Sequence, residues 1–193
     1  MSAGDYRGPR ALAHRVSTRL YGPRGGLAGY AWVPGERLAI GAIPVGPHVA
    51  ALPEHGFTHA VVCRAGPQTV VSQDLWAARA VLGAGNVAHA PMWDHGNHQP
   101  PALWAPAARF AAETLRQDPD ARVLIHCQQG RRRSVMVAYA TLRLLGHDPE
   151  TAARLVLETR PMGRLMPAYR ESVERWLEEF QSADPPEPPP ALR

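Results

Sequence analysis

One segment of the chain, residues 125–134 (IHCQQGRRRS), combines a thiol with a run of guanidinium groups. Within it, Arg133 follows Cys127 by six positions, and Gly130 lies between them. Together with the His before the Cys and the Ser after the Arg, this pattern is roughly a one-in-ten-thousand coincidence for such a composition. The other cysteine, Cys63, begins a similar Cys-x-x-Gly but has no arginine six positions later. Residues 125–134 are therefore the first candidate for a reactive site.

A loop of this length between a strand and a helix can wrap one tetrahedral oxyanion. Its backbone N–H groups point inward, and the following helix adds the positive end of its dipole. Gly130 permits a turn that a side chain would obstruct, and the planar fork of Arg133 matches two phosphate oxygens. The same positive field should lower the pKa of the Cys127 thiol. The pattern thus predicts a thiolate nucleophile beside a bound phosphate ester.

The neighbouring residues are expected to support this loop. His126 is expected to hydrogen-bond backbone carbonyls, and Ser134 to donate a hydrogen bond to the sulfur. Arg131 and Arg132 either attract a highly charged substrate or follow the arginine bias of the chain, in which all 21 basic residues are arginine. Around Cys127 and Arg133, the predicted phosphate-binding residues are His126, Gln128, Gln129, Gly130, Arg131, Arg132 and Ser134.

Strand-like and helix-like segments alternate along the chain, which indicates an α/β fold. We predict a single domain with a central, mostly parallel sheet of about five strands flanked by helices. The predicted strands are 30–33, 37–40, 59–63, 86–90 and 122–125. The predicted helices are 47–54, 73–82, 106–117, 134–145, one from 149 to before Pro161, and 167–180, with Ser72 and Asp148 as helix caps.

Composition suggests three regions. Residues 1–29 are expected to form a flexible Arg/Gly-rich segment, 30–182 the catalytic domain, and 183–193 a Pro-rich tail. The net charge of +4 is concentrated in residues 1–29, which hold five arginines and one acid, so the remainder is neutral and no broad basic face is required. This argues against an obligate nucleic-acid partner. No apolar run is long enough for a membrane span or secretory signal, so a cytoplasmic protein is expected.

Asp94 is the predicted acid partner of Cys127. In parallel α/β sheets, sites form at the carboxyl ends of strands, and residues 86–90 deliver Asp94 to the edge at which Cys127 lies. Asp118 and Asp120 precede a strand and belong at the opposite edge. His95, Asn97 and His98 share the loop of Asp94 and either position substrate or are solvated. Trp93 is expected to anchor the loop, and stacking on substrate is the other interpretation.

The segment 125–134 resembles the signature loop of the cysteine-dependent protein tyrosine phosphatases, and the short chain is similar to their dual-specificity branch. The likeness covers about residues 30–180. The resemblance implies a two-step hydrolysis through a phosphocysteine, without metal or cofactor. Asp94 would first protonate the leaving oxygen and then activate water. It also implies a phosphorylated protein or a phosphoinositide as substrate, and leaves the oligomeric state open.

Cys63 ends a predicted strand near the same edge. Some phosphoinositide-directed relatives carry a cysteine at a similar position, which implies that Cys63 could form a reversible disulfide with Cys127; a core position is the other interpretation. The acid loop here has the order Pro91-Met92-Trp93-Asp94, unlike the Trp-Pro-Asp of the tyrosine-specific branch, which favours a shallower site.

Two other functions are compatible with parts of the pattern. A rhodanese-like sulfurtransferase places its arginine five positions after the cysteine, where this chain has Arg132. A non-catalytic phosphate-binding module would use the same loop but usually lacks the nucleophile or the acid. The presence of Cys127, Arg133 and Asp94 together favours the phosphatase.

Overall fold

A five-stranded sheet forms the centre of the computed structural model, which describes residues 7–21, 29–44 and 48–182. The strands are β1 (Tyr30–Trp32), β2 (Leu38–Ala42), β3 (His59–Val62), β4 (Val87–His89) and β5 (Val123–Cys127). They lie in the order β1-β2-β5-β3-β4, and each neighbouring pair is parallel except β1 with β2. The predicted fold class is therefore confirmed.

The sheet is covered on both faces, as parallel sheets generally are. In the central strand β5, Val123 and Ile125 face the larger hydrophobic core, whereas Leu124 faces the smaller one. Every residue of β5 is buried. A buried run that is apolar except for His126 therefore forms this strand, and it carries Cys127 to its carboxyl end.

Seven helices surround the sheet in the described part of the chain. They are α1 (Pro9–Tyr21), α2 (Gly66–Ser72), α3 (Asp74–Leu82), α4 (Ala105–Gln117), α5 (Arg133–Leu145), α6 (Pro149–Thr159) and α7 (Pro167–Ser182). The capping predictions hold for α6, because the Asp148 side chain accepts hydrogen bonds from the backbone N–H groups of Glu150 and Thr151. Gly146, in the left-handed region, ends α5 as predicted.

The N-terminal region differs from its prediction. A flexible segment was expected over 1–29, but residues 9–21 form helix α1, which packs against α2 and α3 and buries Ala11. The mixture of Arg, Gly and Pro over residues 1–29 gave no helical periodicity, so the sequence did not indicate this helix. Residues 1–6 and 22–28, and the predicted Pro-rich tail at 183–193, lie outside the described residues.

Two further elements, on either side of β3, differ from their predictions. Ser72 was predicted to cap a helix beginning at 73; it instead ends α2, a helix that the sequence reading missed. Gln73 follows with a positive φ of 56° and separates α2 from α3. The helix predicted over 47–54 is also wrong for the residues that are described, since residues 49–56 form turns.

Candidate active site

The loop predicted to bind phosphate lies between the end of β5 and the start of α5. We call residues 126–134 the phosphate loop. The Cys127 side chain lies at its base, and its Sγ accepts hydrogen bonds from the backbone N–H of Gly130 at 3.2 Å and from the Ser134 hydroxyl at 3.3 Å. The structure therefore brings the predicted nucleophile and its predicted hydroxyl donor into direct contact.

The surroundings of Cys127 favour its charged form. Burial is the largest influence and raises the pKa of the thiol. The Arg133 guanidinium, the Ser134 side chain and the backbone N–H groups of Ser134 and Arg131 oppose burial, and together they lower the pKa below its ordinary value. A thiolate is the nucleophilic form of cysteine, so these contacts favour the more reactive form of this thiol.

Glycine is required at position 130, because both the backbone conformation and the neighbouring atoms disfavour a side chain there. Its φ is +67°, a region that residues with a side chain rarely adopt. A Cβ built on Gly130 would lie 2.6 Å from the carbonyl carbon of Gly41 and 2.8 Å from the backbone nitrogen of Ala42, both in β2. The phosphate loop therefore packs backbone to backbone against the neighbouring strand.

Arg133 is held in a fixed orientation, with a side chain only 2% exposed. Its Nη1 donates to the Gln68 side-chain oxygen at 2.9 Å and to the Met92 carbonyl at 3.0 Å. Its buried Nε has no hydrogen-bond partner among the described residues. A buried donor without a partner is rare in a folded protein, and a phosphate oxygen would satisfy it.

Gln68 is a site residue that the sequence reading missed. It lies on α2, and its side-chain oxygen also accepts from the backbone N–H of Ala65 at 3.3 Å. The Gly66-Pro67 pair was the available sequence signal for the start of α2, because Pro is favoured in the first turn of a helix. Nothing in the local sequence, however, pointed from α2 to Arg133.

The structure places Asp94 beside the phosphate loop. One carboxylate oxygen lies 3.6 Å from Nη1 of Arg132, and the other lies 3.8 Å from Nε of Arg133. The Asp94 side chain is 35% exposed, so it reaches both the loop and solvent. Asp118 lies at the end of α4, before β5, and therefore at the opposite edge of the sheet.

Helix α7 holds the loop that carries Asp94. The backbone N–H of Gly96 donates to the Tyr169 hydroxyl at 3.2 Å, and that of Gln99 donates to the Ser172 hydroxyl at 3.0 Å. Trp93 was expected to anchor this loop but is 52% exposed, so that expectation is wrong. The buried Gln99 has this role instead, because its side chain also donates to the Trp93 carbonyl at 3.2 Å.

The histidines of this loop contact other protein side chains. His98 lies 2.8 Å from Glu171 in an exposed pair, and the His95 ring lies 3.1 Å from the Gln99 side-chain nitrogen. Among residues 7–21, 29–44 and 48–182, no group of three or more His, Cys, Asp or Glu could hold a metal ion.

Cys63 lies in the strand position next to Cys127. The parallel register pairs Val62 with His126, and the Cys63 N–H donates to the His126 carbonyl at 2.8 Å. Cys63 is fully buried, and burial followed by the nearby Cys127 raises the pKa of its thiol well above the ordinary value. The two cysteines are therefore neighbours at the sheet edge, one with a raised and one with a lowered pKa.

A further residue that the sequence did not predict, Arg160, contacts the outer side of the phosphate loop. Arg160 follows α6, and its guanidinium donates to the carbonyls of Gly130 at 3.2 Å, Gln129 at 3.4 Å and Gly29 at 2.9 Å. The Arg160 guanidinium thus satisfies outward-facing carbonyls of the loop. These contacts fix the loop conformation in which its N–H groups point inward.

The fold and this site define the class of protein that the chain is similar to. No family model matches the chain, and no curated protein matches it. Among solved structures, human DUSP28 has 21% identity and a TM-score of 0.60, covering 83% of this chain and 99% of that chain. Tk-PTP in the active form has 26% identity and a TM-score of 0.60, covering 79% and 98%.

A further solved structure, PTPMT1 in complex with PI(5)P, has 18% identity and a TM-score of 0.63, covering 79% of this chain and 96% of that chain. The chain therefore has the fold of the dual-specificity and tyrosine phosphatases, as its resemblance to them implied. No helix in the described ranges is long and apolar enough to cross a membrane.

Proposed function

We propose that this protein is a cysteine-dependent phosphatase that hydrolyses phosphate monoesters through a phosphocysteine on Cys127. The observation that carries the proposal is the pairing of a thiol whose pKa is lowered with a buried Arg133 whose Nε lacks a hydrogen-bond partner. An oxyanion seated between them would receive the loop N–H groups and the guanidinium fork. The fold and the structural neighbours support the same class.

In the first step, the Cys127 thiolate attacks phosphorus, and the bond from phosphorus to the ester oxygen breaks. Asp94 donates its proton to that leaving oxygen, which its position beside Arg133 allows. In the second step, the Asp94 carboxylate takes a proton from water, which attacks the phosphocysteine and releases phosphate. Ser134 assists the sulfur as it leaves, because its hydroxyl already donates to Sγ.

The contacts of the two arginines favour this reaction over sulfur transfer. Arg133, in the phosphatase register, is buried and held by Gln68, whereas Arg132, in the sulfurtransferase register, is partly exposed and faces Asp94. Substrates proposed for the site are phosphotyrosine and phosphoserine or phosphothreonine in proteins, and phosphoinositides. For domain organisation, we propose residues 30–182 as the catalytic unit.

Hydrolysis of p-nitrophenyl phosphate by wild type and Cys127→Ser tests the nucleophile. We expect turnover by wild type, none by Cys127→Ser, and phosphate binding by both. Phosphocysteine should be trapped by rapid acid quench and found on Cys127 by mass spectrometry. Turnover that survives in Cys127→Ser, or wild type that transfers sulfur from thiosulfate to cyanide without hydrolysing the ester, overturns the proposal.

Two substrates that differ in leaving group test Asp94. We expect Asp94→Asn to lower kcat by about 10²–10⁴ for an alkyl phosphate but much less for p-nitrophenyl phosphate, whose leaving group needs little protonation. Asp120→Asn, at an exposed position at the opposite edge of the sheet, is the matched control and should change neither rate. An equal loss for both substrates means that Asp94 is not the acid.

Cys63 is proposed to protect the nucleophile against oxidation. Peroxide would oxidise the Cys127 thiolate to a sulfenic acid, and the Cys63 thiol would then form an S–S bond with that sulfur and release water. Their adjacent strand positions support this pairing. Mass spectrometry after mild peroxide should show a 63–127 crosslink that dithiothreitol reverses. Oxidation that stops at Cys127 sulfinic acid with no crosslink contradicts it.

A further inference from the structure

A basic pocket lies beside the phosphate loop, between it and the segment that joins α6 to α7. Its volume is about 420 Å³, within the range of small-molecule sites. Arg131 and Arg132 line it from the phosphate loop, and Arg164 lines it from the opposite wall. Asp94 is the one acidic residue among the lining residues, so the pocket is cationic and opens next to the proposed chemistry.

The wall that carries Arg164 is fixed to the phosphate loop. The backbone N–H of Arg164 donates to the Arg131 carbonyl at 2.6 Å, and Arg160 bonds the Gly130 carbonyl at 3.2 Å. Gly163 allows the tight turn between them, because a Cβ there would lie 2.7 Å from the Arg160 carbonyl oxygen. The distance from Cys127 to this wall is therefore set by the fold.

Two of the three guanidinium groups of this pocket, those of Arg131 and Arg164, have no carboxylate partner among the described residues. Within the described residues, the Arg131 guanidinium donates to the weakly accepting sulfur of Met162 at 3.9 Å, and Arg132 forms an ion pair with Asp94 at 3.6 Å. Within the described ranges, the Arg164 side chain makes no ion pair. Three cations and one carboxylate leave the cavity with a net positive charge, which favours an anionic occupant.

We propose that Arg131, Arg132 and Arg164 form a second anion subsite, and that the substrate is a small polyol phosphate with a second phosphate near the scissile one. This proposal rests on the proposed phosphatase function and assigns its substrate class. The lining contains no aromatic ring, and Pro161 and Met162 are its main apolar residues. Such walls suit a hydroxyl-rich, multiply charged ring better than the ring of phosphotyrosine.

Competitive inhibition of p-nitrophenyl phosphate hydrolysis tests the subsite with probes that are not themselves hydrolysed. The probes are bisphosphonates whose two phosphonate groups are joined by a methylene, ethylene, propylene or butylene linker. Alkyl monophosphonates of the same chain length are the controls. For wild type, we expect one bisphosphonate spacing to bind at least about 10-fold more tightly than its monophosphonate, because two charge-assisted contacts are gained. Arg164→Met should reduce this ratio to near one, and Arg154→Met, an exposed arginine on α6, should leave it unchanged.

A ratio near one in wild type at every spacing overturns the subsite while leaving the phosphatase intact. Failure of the proposed function is different, since wild type would then not hydrolyse p-nitrophenyl phosphate at all. A substrate panel tests the class: inositol bisphosphates should exceed inositol monophosphate in kcat/KM by about 10-fold, and Arg164→Met should abolish this advantage.

Such a substrate could be a soluble polyol phosphate or the headgroup of a lipid. Measuring kcat/KM for the same inositol phosphate headgroup, free and as a lipid in phosphatidylcholine vesicles, distinguishes these two sources. A higher kcat/KM for the free form assigns a soluble polyol phosphate, and a higher kcat/KM in vesicles assigns a lipid headgroup. Both outcomes support the subsite if Arg164→Met removes the preference. A doubly phosphorylated peptide that exceeds every inositol phosphate in kcat/KM overturns the assigned substrate class.

Discussion

Replacing Gly130 with alanine tests whether the close approach of the phosphate loop to β2 shapes the site. Two costs add at this position. An alanine in the left-handed region costs about 1–2 kcal/mol. Its Cβ would also meet the backbone of Gly41 at 2.6 Å, and forcing atoms into such a packed region costs about 1–3 kcal/mol. We expect Gly130→Ala to lower the free energy of unfolding by about 2–5 kcal/mol.

Gly35 provides a matched control in the turn between β1 and β2. Its φ is +78°, close to the +67° of Gly130, but a Cβ built there meets nothing within 4 Å. Gly35→Ala should therefore carry only the conformational cost of about 1–2 kcal/mol. The difference between the two variants isolates the contact between the phosphate loop and β2.

Urea unfolding followed by tryptophan fluorescence gives both free energies, and inhibition of p-nitrophenyl phosphate hydrolysis by phosphate reports the shape of the loop. We expect Gly130→Ala to bind phosphate at least about 10-fold more weakly than Gly35→Ala, because its N–H groups move off their inward orientation. Equal stabilities and equal phosphate affinities for the two variants would refute this reasoning.

Three further changes test the supports of the site. Gln68→Ala should weaken phosphate binding about 10-fold, because Arg133 loses a fixed acceptor, and Gln68→Glu should restore it; equal inhibition constants contradict this. Ser134→Ala removes a contact that lowers the pKa of the buried Cys127 thiol, so that pKa should rise and iodoacetamide alkylation should begin at higher pH; an unmoved profile contradicts it. Arg160→Met should lower both the stability and the phosphate affinity, whereas Arg154→Met should change neither, as measured by the same urea and inhibition assays.

The phosphate loop could be predicted from the sequence because its chemistry is local. Cys127, Gly130 and Arg133 lie within one turn between a strand and a helix, so spacing alone determines which groups face each other. Asp94 could be placed beside them only through a rule of topology, that parallel strands end at the same edge. That rule fixes an edge of the sheet but not a distance, and the structure supplies the separation of 3.8 Å from Arg133.

The supporting residues could not be predicted in the same way, because their partners are distant in sequence. Gln68 holds Arg133 and Arg160 holds Gly130 across long separations, and the local sequence around Gln68 and Arg160 does not point to either partner. Helix α1 was missed for a related reason. Its burial depends on contacts with α2 and α3, and α2 itself is a short helix whose existence the local pattern did not indicate.

The supports nevertheless explain why a buried cysteine can be charged. A thiolate removed from water needs donors already aimed at it, and reorienting them during the reaction would cost much of their benefit. Here the phosphate loop is held by β2 through Gly130, by α2 through Arg133, and by the segment after α6 through Arg160. Arg160 satisfies outward-facing carbonyls of the loop, and the other two supports fix the positions of Gly130 and Arg133, so the inward-facing donors remain aimed at the sulfur and at an oxyanion beside it. The same rigidity fixes the backbone of Arg164 relative to Cys127, and at the proposed subsite a substrate with two phosphates would be selected by the spacing between those phosphates.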